Sequence, residues 1–339
     1  MYVTAGGPYN NYRPPYFAAL FEERRQLRRT ANGVCWAALI GIFLMSWLLP
    51  GISLFFLKSM GYHIKSTADG FIGLPPVVYY LVSCADYLVG LAAPALIYFA
   101  ATRTPLSRGL PFHKTKAWET LLFVAFGCMV CLLANFPANA VSEIQKSFGF
   151  SGEMPTSPLT NNPQVLFLYF INVVLIPPLV EEMMFRGVIL QSLRRWGDGL
   201  AVVFSAMLFG FYHGNFIQMV FAFLCGLALG YVAVRTNSLL PSILIHMVNN
   251  GLSVLYEMAT RFYGKNASLW LNGFMSMLIL VLGVVAVIIL AVKHLLVSGP
   301  EKKTALSFSS RFGAALGSFG GIVFILYAVV SSIYRLYHV

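Results

Sequence analysis

Charge is scarce in this chain. Only 10% of its 339 residues are Asp, Glu, Lys or Arg, against 58% hydrophobic, and the mean hydropathy is +0.74. That balance excludes an ordinary soluble domain and predicts a polytopic membrane protein. Cysteine is sparse as well: Cys35, Cys84, Cys128, Cys131 and Cys225 all fall inside apolar runs, so a disulfide framework or redox centre is not expected. Cys128 and Cys131 are CxxC by spacing only, which on an apolar helix reads as packing. No internal repeat, low-complexity tract or HExxH helix is present. The basic stretch before Val34 is like a signal-peptide n-region, but the apolar run behind it is too long and lacks a small-residue cleavage site. It is expected to remain as an anchor.

Stretches able to cross about 30 Å of hydrocarbon run over 33–57, 76–101, 117–139, 163–190, 198–214, 216–235, 238–257, 268–292 and 313–334, nine candidate spans. Loops rich in Lys and Arg tend to stay in the cytoplasm. Arg24, Arg25, Arg28 and Arg29 precede the first span, and Arg103, Arg108, Lys114 and Lys116 follow the second. Arg194 and Arg195 follow the fourth, Arg235 the sixth, and Lys293, Lys302, Lys303 and Arg311 the eighth. The amino terminus is therefore expected inside and the carboxyl terminus outside, in a setting that suits a bacterial plasma membrane. The net charge of +11 is spread over separate short loops with no aromatic-basic platform. It predicts contact with the lipid bilayer and no nucleic acid.

The expected organisation is a cytoplasmic amino-terminal tail (1–32), amino-terminal transmembrane helices (33–139), an extracytoplasmic loop (140–162), a core bearing the polar residues (163–257) and carboxy-terminal transmembrane helices (258–339). The loop, with Phe148, Phe150 and Met154 among small and polar residues, reads equally as a surface connection or as an interfacial lid. Gly313, Gly317 and Gly321, and Gly226 with Gly230, have the spacing of close helix packing.

Against this apolar background stands Pro177-Pro178-Leu179-Val180-Glu181-Glu182-Met183-Met184-Phe185-Arg186. Ionisable groups at such depth are costly and usually functional. His213 ends another apolar run, and His246 and Asn250 lie one turn apart in a third. At about 1.5 Å per helical residue, Glu181 lies up to about 21 Å from Arg195 and His213 about 22 Å from Asp198. His246 and Asn250 are then about 12 and 18 Å from Ser238, so polar residues of three spans share a layer. Glu182 and Arg186 have the favourable spacing of a helical ion pair, whereas Glu181 points about 100° away and is the expected general base. Pro177 and Pro178 free carbonyls near Val173 and Val174, which would meet water, an extended peptide or a neighbouring helix. Asp86, midway along the second span, suits either an ion pathway or a buried hydrogen bond.

The pattern resembles the CPBP family, the CAAX-protease and bacteriocin-processing intramembrane proteases that include the Ras-converting CAAX endopeptidase. EExxxR reads Glu181 to Arg186, FxxxH reads Phe209 to His213, and HxxxN reads His246 to Asn250. The resemblance covers about a hundred residues, from the fourth span through the seventh. It implies an all-α polytopic membrane protein of about nine transmembrane helices, with a four-helix catalytic core around a membrane-embedded cavity. By that resemblance Glu181 and His213 activate water while His246 and Asn250 hold the oxyanion, with Glu182, Arg186 and Phe209 in support. Zinc on Glu181, His213 and His246 is the alternative. The metal-independent form is preferred because Asn250 suits an oxyanion better than zinc. The substrate would be a protein or peptide at the membrane, prenylated or not. An ion-coupled transporter and a non-catalytic scaffold or immunity factor are the rival readings.

Overall fold

The computed structural model describes residues 15–67, 70–151, 158–296 and 303–338. Helix α1 (Phe17–Ser59) is followed by α2 (Pro76–Ala101), α3 (Ala117–Ser147), α4 (Pro163–Trp196), α5 (Asp198–Tyr212), α6 (Phe216–Thr236) and α7 (Leu240–Val292). The chain ends on α8 (Phe308–Leu316) and α9 (Phe319–Tyr334), bent by 72°. Strand structure among the described residues is confined to two short antiparallel pairings, Lys65–Thr67 with Gly70–Ile72 and Phe150–Ser151 with Tyr337–His338.

This is a multi-pass, all-α membrane architecture. Six helices are long and apolar enough to cross a bilayer, or seven when α8 and α9 count as one span. The separate nine expected from hydropathy are not reached by that criterion, for two reasons. The 15 residues of α5 rise only about 22 Å. The stretches 238–257 and 268–292 run together as α7, which turns at Gly264 (φ 85°, ψ 168°), a conformation open to glycine. Ser268 Oγ donates to the Tyr256 carbonyl at 3.0 Å, whereas a straight helix would hold the two residues about 18 Å apart. Arg235 Nε donates to the Leu295 carbonyl at 2.9 Å, so the second half of α7 returns to the level where the first began.

Residues 1–14 of the expected tail lie outside the described residues, and the remainder is helix. Leu27, Ala31, Val34 and Ala38 form one buried stripe at the spacing of a helix face, and α1 packs on α2, α8 and α9. Burying that stripe holds the helix from Leu27 onward against the rest of the protein. At the other side, α3 continues to Ser147, into the segment expected as loop. Phe150 pairs with His338; Met154, the remaining apolar residue of the suggested lid, lies outside the described residues.

The core places α4 against α2, α5 and α7, with α6 between α3 and α5. Gly226 permits this: a Cβ there would stand 3.0 Å from the Ala206 Cα and 3.3 Å from Arg186 Nη2. Gly313, by contrast, has open space where its Cβ would be, so the close packing expected there is absent, and Gly317 and Gly321 instead flank the bend between α8 and α9.

Candidate active site

The site grows from the irregular backbone of α4. Its short α-helical stretch Ile176–Glu182 is framed by π-helical turns, Ile171–Leu175 and Met183–Leu190, a widening common where helices carry function. Pro177 has no N–H, so the Val173 carbonyl loses its partner four residues on. Asn250 Nδ2 of α7 donates to that carbonyl at 3.0 Å. At Val173, then, the neighbouring helix is the partner among the three expected. On the other side of the helix, Ser205 Oγ of α5 donates to the Phe185 carbonyl at 2.7 Å.

Both carboxylates are buried, Glu181 at 3% and Glu182 at 0% exposure, and their environments differ. Glu182 Oε1 accepts from Arg186 Nη1 at 2.9 Å and from His246 Nδ1 at 3.0 Å. Arg186, wholly buried, also donates from Nη2 to the Gly226 carbonyl at 3.2 Å. Its guanidinium lies 4.5 Å from the centre of the Phe209 ring, within cation–π range. A buried cation thus meets a carboxylate, a carbonyl and an aromatic face, which offsets its desolvation.

Glu181 faces a different set. Its Oε2 lies 3.6 Å from His246 Nε2, and its Oε1 accepts from the Tyr87 hydroxyl of α2. Tyr87 and Tyr212 hydroxyls are 2.8 Å apart, and Tyr212 reaches Met45 Sδ at 3.3 Å. Glu181 is therefore partnered away from Arg186: a phenol and an imidazole both face it.

The two histidines are fixed in different ways. His246 bonds Glu182 through Nδ1, leaving Nε2 toward Glu181. His213 holds Nδ1 2.8 Å from the Phe209 carbonyl. A carbonyl only accepts, so the neutral His213 ring carries its proton on Nδ1 and its lone pair on Nε2. Phe209 packs edge-on against both rings, at 5.0 and 5.7 Å between centroids. The end of α5 is held from α9, where Tyr327 donates to the Tyr212 carbonyl at 3.2 Å; Arg335, just past α9, donates to the His213 carbonyl at 3.1 Å.

Glu181, His213, His246 and Asn250 line one cavity of about 340 Å³, together with Phe209 and Cys131, while Glu182 and Arg186 stand behind its wall. Asp86 is not among them. It accepts a bond from Ser53 of α1 at 3.0 Å and faces a separate cavity of about 180 Å³. Tyr87 lines both cavities. Tyr87 and Tyr212 are the residues that sequence reasoning passed over, although each adjoins one that it singled out, Asp86 and His213.

All five cysteines are free thiols. Among the described residues no group of three or more His, Cys, Asp or Glu side chains is gathered to hold a metal ion. Glu181 Oε1 and His246 Nδ1 are engaged with protein partners, and the His213 ring is turned onto its own helix.

Fold and site together define a multi-pass membrane protein with a buried carboxylate–imidazole centre open to a cavity. Residues 163–252 match a family described as Rce1-like, type II CAAX prenyl endopeptidase Rce1-like. The matched segment contains Glu181, His213, His246 and Asn250 and supports a likeness to the CPBP/CAAX proteases. No curated protein matches the chain, and no solved structure does.

Proposed function

We propose that the protein is an intramembrane endopeptidase that cleaves a membrane-associated protein or peptide by water activated at Glu181. The observation that carries this reading is the convergence of Glu181, His213, His246 and Asn250 on one cavity, with Glu182 and Arg186 fixing His246 from behind. Water between Glu181 and His213 gives its proton to Glu181 as its oxygen attacks the scissile carbonyl. The oxyanion that forms is met by the His246 ring and by the Asn250 N–H that is not spent on Val173, groups held in place before the reaction. The C–N bond then breaks as Glu181 passes its proton to the leaving amine, which leaves a carboxyl and an amine as products. The alternation of the basic loops supports an orientation with the amino terminus in the cytoplasm.

Mapping new protein amino termini in membranes carrying wild-type protein or Glu181→Gln tests the reading. Specific termini should vanish in the variant and return with wild type. If none changes while Glu181→Gln still rescues a deletion phenotype, the protein is a scaffold. Metal content separates the two hydrolytic routes: the purified protein is expected to work without stoichiometric zinc. Zinc bound one to one and lost in His246→Ala would replace glutamate catalysis with metal catalysis.

A further inference from the structure

A second and larger cavity, of about 610 Å³, adjoins the first and shares Phe221, Asn249 and Ser253 with it. It lies between α3 and the two halves of α7. Asn249, Ser253 and Tyr256 line it at helix-face spacing, running from the His246–Asn250 level toward the turn at Gly264. Asn135 and Asn139 of α3 face it, as do Asn272 and Ser276 of the returning half of α7. Each of these pairs is four residues apart and so occupies one face of its helix. No Asp, Glu, Lys, Arg or His lines this cavity.

We propose that this second cavity binds the substrate's own backbone, taking an extended, uncharged peptide segment on one side of the scissile bond. The assignment of that segment to a substrate rests on the endopeptidase reading. A peptide leaving water needs a partner for every N–H and C=O, since an unsatisfied group in hydrocarbon is strongly disfavoured. Carboxamides supply both kinds. Asn135 Nδ2 donates to the Cys131 and Leu132 carbonyls, leaving its Oδ1 to accept. Asn272 Oδ1 accepts from Ser276 at 3.0 Å, leaving its Nδ2 to donate. A lipid acyl chain would leave all of these groups unused. From His246 to Tyr256 the helix rises about 15 Å, room for four to five extended residues at about 3.3 Å each. Asn135 and Asn139 are exposed on the flank of α3, so the cavity opens sideways, and its neutral lining disfavours charged side chains.

The test uses Glu181→Gln protein in lipid nanodiscs and a defined pool of uncharged twelve-residue synthetic peptides carrying benzophenone at each position in turn. Crosslinks mapped by mass spectrometry should reach Met277 and Leu132. They should fall at least ten-fold with Ser276→Trp, and several-fold with Asn139→Leu, which acts from a different helix should the first variant fold poorly. A peptide bearing Asp four residues from the anchoring position should crosslink ten-fold less. Crosslinks confined to the Glu181 cavity, or undiminished in both variants, overturn the proposal. So does phospholipid displaced by Ser276→Trp with no peptide captured, which would assign the cavity to an acyl chain. The two readings fail separately: peptides captured here but never cleaved by wild type would keep the binding site and remove the protease.

Discussion

Residues 163–252 and the helices around them treat buried polarity differently. Within the matched segment the buried ionisable groups form one linked set, in which Arg186, Glu182, His246 and Glu181 each touch the next. The surrounding helices place no ion against that set; Arg335, past α9, reaches only the His213 carbonyl. What they place around the set is mainly hydroxyls: Tyr87 from α2 on Glu181, and Tyr327 from α9 on the Tyr212 carbonyl. Even Asp86, the one acid in α2, is met by a serine outside the site cavity. The comparison teaches that the buried carboxylates are gathered where the proposed chemistry is, while the outer helices meet them directly only through a neutral hydroxyl, that of Tyr87. Neutral donors carry a smaller desolvation cost than charges in a membrane, so a helix can contribute one without a counter-ion.

The comparison breaks first at Glu181. Glu181→Gln keeps the shape and removes the base, and turnover should fall by about 10²–10⁴-fold, the usual contribution of general base catalysis. Near-normal turnover in a folded variant would move the chemistry elsewhere. Arg186→Leu tests whether the charge is held as a unit. Removing one member of a buried pair costs about 3–5 kcal/mol, read as a lower denaturation midpoint in detergent, with His246 left to offset Glu182 alone. The double variant Glu182→Leu with Arg186→Leu should regain much of that stability but not activity, because His246 loses its hold on Nδ1. Recovery of both would reduce the pair to scaffolding.

Tyr87→Phe sharpens the same contrast from the outside. A hydrogen bond to a charged group contributes about 1.5–3 kcal/mol, so activity should drop about 10-fold or more with little change in stability. Unchanged kinetics would demote α2 to a wall.

Legibility follows the same division. The Glu182–Arg186 pair was readable because it is local: four residues on one helix can meet in only one way. The shared layer of Glu181, His213 and His246 was readable because helical rise converts residue counts into depth. The Pro177 lesion was visible too, but its partner was not, since Asn250 reaches Val173 from another helix whose rotation no spacing reveals. Tyr87 was hidden for the same reason. Asp86 drew attention by its charge, yet a side chain one residue on points about 100° away, and it is Tyr87 that turns toward Glu181. The two spans of α7 were legible as well: Tyr263-Gly264-Lys265-Asn266 has the composition of a turn, and the helix breaks at Gly264, though nothing in the sequence signals that the flanking residues stay helical up to that one glycine.

The smallest effect is expected farthest from the charge. Arg335 donates to the His213 carbonyl from beyond the end of α9, outside the matched segment, and touches neither imidazole nitrogen by that bond. Its removal loosens the last turn of α5 rather than any reacting group, so Arg335→Ala should cost about 1 kcal/mol, a roughly five-fold loss in turnover. Because the loss arises from a misplaced backbone, Arg335→Lys should recover part of it by restoring a donor within reach, and the two variants should denature at nearly the wild-type midpoint. If Arg335→Ala instead matches Glu181→Gln in severity, the outer helices do more than orient, and the contrast between a charged centre and neutral surroundings fails at its carboxyl-terminal edge.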